Sequence, residues 1–313
     1  MKVGVWYSVP FCGIKSKAYQ KFKGKFLTAK HRWAPVFDPR YPEVREYLVN
    51  TYISAVRDWN LDGLKLDFID DFKSYPETNF DYDGKDVLSI NGAVDILLTQ
   101  IRRELEKINP EIFIEFRQKY TGPAMRKYGN MLRAFDCPGD YSMNRVRIAD
   151  IKLLAGNTAV HADMVKWSFN EPVEDAALHY INTLFGVPQI SVMLTEAPPE
   201  QLQMITFYTQ YWKENAELLL TGRYHPQLPL QNYPIQYVQN NHKAIFGLHS
   251  DQVVFLDKKL EKIDVLNAKS SQKVIVDIAL DLGPYNKTVF DSKCILQTNG
   301  IVKMKEGCQL FHV

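Results

Sequence analysis

Hydrophobic and polar positions divide the chain into two parts with different periods. Over the first two-thirds, short apolar runs alternate with stretches in which apolar residues recur every three or four positions, the spacing of one helix face. "KVGVWYSV" reads as a strand, and residues 38–60 as a helix with Pro42 early and Val44, Leu48, Tyr52, Ile53 and Val56 at helical spacing. "LDGLKLDF" (61–68) predicts the next strand, 89–110 a helix ended by Asn109-Pro110, and "EIFIEFR" a third strand. "AMRKYGNMLRAFD" predicts a short helix and a short strand, "RVRIADIKLLAGN" a helix stopped near Gly156, and "TAVHADM" a strand. "PVEDAALHYINTLFG" predicts a helix, "VPQISVML" a strand, and 198–222 a long amphipathic helix ended by a glycine. Such alternation implies a parallel sheet joined by crossover helices.

From about residue 235 the period falls to two. "AIFGLH", "QVVFLD", "KIDVLNA", "QKVIVDIA" and "CILQTN" are short runs separated by polar turns, the pattern of a small antiparallel sandwich. Pro226, Pro229 and Pro234 interrupt "YHPQLPLQNYPI" and mark the boundary, which gives an α/β domain over 1–232 and a β domain over 233–313.

Composition narrows the function classes. In 313 residues, 46% hydrophobic and 12% aromatic content describes a chain that buries a core. The net charge of +2 is a small difference between 38 basic and 36 acidic residues with no long basic block, which argues against nucleic acid as a partner. Cysteines 12, 137, 294 and 308 show no Cys-x-x-Cys spacing and read as free thiols, not as a disulfide framework or a metal site. "MKVGVWYSVP" is too short and polar for a signal peptide or a membrane span, so a cytoplasmic protein is expected if Met1 is the native start. Homo-oligomerisation is left open.

The candidate chemistry lies at strand ends. In a strand, residues i and i+2 share a face, so Lys65 and Asp67 point the same way while Leu64, Leu66 and Phe68 point the other. One such pair is commonly a partly buried salt bridge. Here Glu115 with Arg117, Asp136 with Asp140, and His161 with Asp163 follow at successive strand ends. In a barrel of parallel strands the reacting groups gather at those C-terminal ends. Two carboxylates, one kept ionised by a cation and one able to hold a proton, are the apparatus of glycoside hydrolysis. Asp67 beside Lys65 would be the anion and Asp136 the acid.

With these residues in place, "DGLKLDF" resembles the Lys-x-Asp nucleophile motif of the retaining α-galactosidase superfamily, glycoside hydrolase family 36 with its relatives in family 27. "RAFDCPGD" about 70 residues later and "TAVHADM" after it are similar to the acid/base region, and the likeness covers most of residues 1–230. The resemblance implies Asp67 as nucleophile, Lys65 as a contact to sugar hydroxyls and Asp136 as general acid/base. Asp140 competes for that last role, because the spacing differs from the family's common Ser-Asp-Asp-Thr-Asp form. Trp6 in "VGVWYSVP" matches the family's Gly-Leu-Trp-Phe strand and would wall the sugar site, with Arg117, Arg133, His161 and Asp163 as further binding residues.

The family's first two barrel strands, one bearing an Asp-Asp-Gly-Trp stretch, have no counterpart in the sequence. The expected architecture is therefore a (β/α)8 (TIM)-type barrel lacking those strands, followed by the β-sandwich. The implied substrate is a terminal α-linked galactosyl oligosaccharide or glycoside, cleaved without metal or organic cofactor. Retention would set the two carboxyl groups about 5–5.5 Å apart. Two other readings stand beside it: a catalytically silent carbohydrate-binding fragment, and a transglycosylase of the raffinose-synthase kind.

Overall fold

The computed structural model describes residues 2–250, 252–256, 260, 262–268, 276–280, 287–289, 295–298, 301–304 and 311–312. The chain forms two compact units, Met1–Arg133 and Ala134–Val313.

The first unit contains, in chain order, β1 (Gly4–Ser8), α1 (Lys17–Lys21), β2 (Phe26–Thr28), β3 (Val36–Phe37), α2 (Pro42–Asp58), β4 (Gly63–Asp67), α3 (Ile90–Ile108), β5 (Phe113–Arg117) and β6 (Met131–Arg133). Strands β1, β4, β5 and β6 lie side by side in that order, all parallel. Leu64, Leu66, Ile114, Phe116 and Leu132 are buried on one face. Helix α2 lies on that same side, since Tyr7 of β1 meets its Tyr52 edge to face at 5.0 Å. Pro42 opens α2, and the Ser89 hydroxyl caps α3 by accepting the Gly92 amide at 3.1 Å.

The opposite face carries the polar residues, and its lower end is closed by Phe113. A Cβ added at Gly63 would come within 2.3 Å of the Phe113 ring, and one at Gly4 within 2.4 Å, so both glycines make room for it. Gly63→Ala is therefore expected to destabilise the protein by about 1–3 kcal/mol, as overpacking does, read as a lower denaturant midpoint at unchanged slope. An unchanged midpoint would show that Phe113 swings aside freely.

Residues 9–37 fall outside the strand–helix alternation predicted from the sequence. They form α1, whose N-cap Ser16 accepts the Tyr19 amide at 3.1 Å, and the antiparallel pair β2–β3. Segments of two or three residues are too short to show a period.

The second unit contains α4 (Tyr141–Ala155), β7 (Ala159–Val165), α5 (Val173–Ile181), β8 (Val187–Ile190) and α6 (Pro199–Thr221), with β7 and β8 parallel. Helix α4 starts four residues before the predicted "RVRIADIKLLAGN" because Asp140 caps it. There follow β9 (Arg223–Gln227), β10 (Ile235–Gln239), β11 (Lys243–Leu248), β12 (Gln252–Leu256), β13 (Lys262–Asn267), β14 (Val276–Leu280), β15 (Lys287–Val289), β16 (Ile295–Thr298), β17 (Ile301–Met304) and β18 (Phe311–His312). They build two sheets, ordered β16-β17-β13-β11-β10-β9 and β12-β14-β15-β18.

The pairing is antiparallel as the sequence predicts, except for β11 with β13 and β12 with β14. The chain switches sheet between β11 and β14 at every connection, so strands that become neighbours run the same way. Strand β9 falls inside the proline-rich stretch, and it tolerates Pro226 because it is an edge strand. A single apolar cluster joins α5 and α6 to the sheet, through Tyr180, Tyr208, Val238, Ile245 and Leu266. No described helix is long and apolar enough to cross a membrane.

Candidate active site

The polar face of the first unit is a cross-strand ladder of charge. Register places Trp6 beside Lys65, Lys65 beside Glu115, and Arg117 beside Arg133. Along this face, Lys65 Nζ stands 3.6 Å from Glu115 Oε1, and Arg133 Nε stands 3.6 Å from the same oxygen. Arg117 Nε donates to Asp67 Oδ1 at 2.6 Å, with both side chains almost fully buried.

The cation at Asp67 is thus Arg117, which corrects the expectation that Lys65 keeps it ionised. Residues two apart on a strand are roughly 6.6 Å apart, whereas adjacent strands are roughly 4.8 Å apart. Lateral neighbours therefore win, and Lys65 turns to Glu115.

Asp67 ends β4 and is the focus of the ladder. Oδ1 accepts three hydrogen bonds: from Arg117, from the Tyr120 hydroxyl at 2.7 Å and from the Phe68 amide at 2.7 Å. Oδ2 accepts one, from the Trp6 indole N–H at 2.8 Å. Phe68, whose amide donates to the side chain of the residue before it, takes a left-handed conformation, φ +63°, at the strand-to-loop turn. A non-glycine residue held in that region costs energy and is over-determined by its surroundings. Here the Phe68 ring packs on Trp6, Phe11 and Trp33, and the Arg117 guanidinium lies 5.1 Å from its centre.

Burial pushes the Asp67 carboxyl up. The hydrogen bonds from Trp6 and Tyr120, the Arg117 charge and the Phe68 amide outweigh it, and hold the group below the ordinary aspartate value. Burial, with the adjacent Asp67 charge, pushes the Tyr120 hydroxyl well up, so it stays a proton donor. The result is a buried, ionised carboxylate with one oxygen saturated and the other bound once. Trp6 beside it is 53% exposed, so this face opens to solvent.

The remaining predicted residues belong to the second unit. Asp136 and Asp140 are exposed. The Asp140 carboxylate accepts the Met143 amide at 2.8 Å as the cap of α4, and the Asp136 carbonyl accepts from Arg147 at 2.8 Å. His161 is half-buried on β7, with Nδ1 3.1 Å from the Gln189 amide nitrogen. Asp163 is wholly buried, and its Oδ2 accepts the Cys137 amide at 2.5 Å. Asn144 of α4 fixes the Asp163 backbone from both sides, accepting its N–H and donating to its carbonyl at 3.0 Å each. Asp163 thereby anchors the loop that carries Asp136 and Asp140.

The structure brings Trp6, Asp67 and Arg117 into direct contact, sets Lys65 and Arg133 on Glu115, and ties Asp163 to the residue after Asp136. Sequence reasoning missed Tyr120 and Asn144, and took Glu115 only as a strand-end charge. Glu115 was within reach through its i, i+2 relation to Arg117. Tyr120 sits in an aperiodic loop and left no signal. Cys12 and Cys137 are free thiols, as expected, while Cys294 and Cys308 lie outside the described residues. No group of three or more His, Cys, Asp or Glu side chains among the described residues is arranged to hold a metal ion.

No family model matches the sequence, and no curated protein matches it either. Parallel strands with crossover helices, followed along the chain by mostly antiparallel sheets, define an α/β protein, and solved α-galactosidases share that fold over part of their length. An α-galactosidase from Lactobacillus brevis superposes with a TM-score of 0.60 at 17% identity, over 77% of this chain and 34% of that one. The family 36 α-galactosidase AgaB from Geobacillus stearothermophilus gives 0.59 at 16% identity, over 75% of this chain and 34% of that one. AgaA from the same organism gives 0.60 at 14% identity, over 76% and 34%, and variants of it have been solved with raffinose and with stachyose. At these identities the likeness is one of fold, and the chain spans about a third of the length of these enzymes.

Proposed function

We propose that the protein is a retaining glycoside hydrolase acting on terminal α-galactosides through a covalent glycosyl ester on Asp67. The observation that carries this reading is the asymmetry of that carboxylate. A nucleophile must be ionised, fixed in direction and left with a reactive lone pair. Asp67 is held ionised, Oδ1 is fully used, and Oδ2 has one donor.

In the first step Oδ2 attacks the anomeric carbon, the bond from that carbon to the leaving oxygen breaks, and Asp136 gives its proton to that oxygen. In the second, Asp136 as carboxylate takes a proton from water, the water oxygen bonds to the anomeric carbon, and Asp67 departs. Asp140 is the competing acid/base. Trp6 walls the sugar and aims Oδ2, while Lys65, Arg117 and Arg133 lie along the same face to meet hydroxyls or hold the carboxylates. The fold likeness to enzymes solved with raffinose and stachyose supports an α-galactosyl oligosaccharide as substrate.

The test is intact-mass spectrometry after incubation with a 2-deoxy-2-fluoro or 5-fluoro α-galactosyl fluoride. One glycosyl adduct is expected, mapping to the peptide that carries Asp67. A folded protein that takes up no label, or labels elsewhere, overturns the assignment.

A further inference from the structure

A second half-exposed indole stands near Asp67 without touching it. Trp33, in the segment between β2 and β3, is 52% exposed. Its ring is held from several sides: Phe68 at 4.9 Å, Phe11 at 5.5 Å and His31 at 5.5 Å, all edge to face, with the Arg32 guanidinium 4.4 Å over it. His31 is braced in turn by stacking on Phe11 at 4.9 Å. This cluster belongs to no core, because Phe11, His31 and Phe68 are all only partly buried. A large aromatic ring, fixed in place yet open to water, marks a binding surface more than a packing element.

The ring contacts also give it a place in the site. Trp6 bonds to Asp67, Phe68 packs on Trp6 at 6.1 Å, and Trp33 packs on Phe68. In the proposed reading the sugar attacked at Asp67 lies at Trp6, and Phe68 links that indole to Trp33, one aromatic contact away. We infer that Trp33 is the platform for the sugar next to the scissile bond, the leaving-group pyranose, and that it makes the site one for α-galactosyl oligosaccharides over simple galactosides. The inference rests on the proposed α-galactoside reading for the identity of the sugars. A pyranose presents a C–H face to a rigid indole at little entropic cost, which is why the cluster's bracing matters.

Calorimetric titration with raffinose and with galactose tests it, in protein carrying Asp67→Asn so that no turnover occurs. Raffinose is expected to bind roughly tenfold tighter than galactose, the scale of one aromatic stacking contact. Adding Trp33→Ala should collapse that preference and Trp33→Phe should keep most of it. The control Trp59→Ala, at a 63% exposed tryptophan just past α2, should leave it intact. A preference that survives Trp33→Ala, no preference in the parent, or no binding of either sugar overturns the platform. Preferential raffinose binding without labelling of Asp67 by the fluorosugar would retain the platform and overturn the hydrolase reading.

Discussion

Asp67→Ala is expected to lose at least about 10⁴-fold in kcat/KM on an aryl α-galactoside, the scale seen when one member of a catalytic unit is removed, and azide to restore turnover with the β-galactosyl azide as product. The stereochemistry is the useful part. With the carboxylate gone, a small anion enters the vacated space and attacks the anomeric carbon from the face opposite the leaving group, inverting an α-linkage to β. Removal of the acid/base gives the other outcome. Asp67 would still form its ester when the leaving group is good, azide would then displace Asp67, and the expected product is the α-azide. Asp136→Ala and Asp140→Ala, assayed in the same way, decide which of the two carries the proton. An Asp67→Ala protein that hydrolyses normally, or that yields α-azide, would remove Asp67 from the nucleophile's role. Thermal melts separate loss of the nucleophile from loss of the fold, and azide rescue itself requires an intact site.

Much of the first unit was legible because its elements are long enough to show a period. The runs at Gly4–Ser8, Gly63–Asp67 and Phe113–Arg117 and the helices Pro42–Asp58 and Ile90–Ile108 all stand where alternation and helical spacing predict them. Residues 9–37 were silent for the opposite reason, and they are where Phe11, His31 and Trp33 come from. The site divides along the same physical line. A period of two tells which side of its strand Asp67 occupies, and the strand ends pick out Arg117. Periodicity says nothing of which strand lies beside which, or in what register. The exchange of partners, Lys65 to Glu115 and Asp67 to Arg117, is a property of register alone. The left-handed Phe68 was equally hidden, since no glycine or asparagine marks the turn.

The Asp67–Arg117 pair yields the largest expected change in stability. Both side chains are only 7% exposed, so removing the cation leaves a buried charge without its partner, a loss of about 3–5 kcal/mol. Arg117→Met keeps the length and apolar stem of the side chain and isolates the charge. The pH dependence gives the effect its sign. In the native protein Asp67 is depressed, so its stabilising contribution is present above the unfolded aspartate value of about 3.9 and is lost as pH falls through the lower folded value. Without Arg117 burial gains on the remaining donors, Trp6, Tyr120 and the Phe68 amide, and the folded value rises. Once it passes the unfolded one, the unfolded chain releases its proton first as pH increases, and the same group then subtracts stability above about pH 4. Thermal melts between pH 3 and 8 should show the deficit of Arg117→Met growing toward neutrality and shrinking in acid. Asp67→Asn combined with Arg117→Met should recover part of the loss, because the pair is coupled. The acid limb of kcat/KM should move to higher pH in Arg117→Met wherever activity survives, since that limb reports the nucleophile's ionisation in the free enzyme. A variant with native melting at every pH and an unmoved acid limb would mean that Trp6, Tyr120 and the Phe68 amide keep Asp67 charged without it, and Arg117 would lose its place as the site's counter-ion.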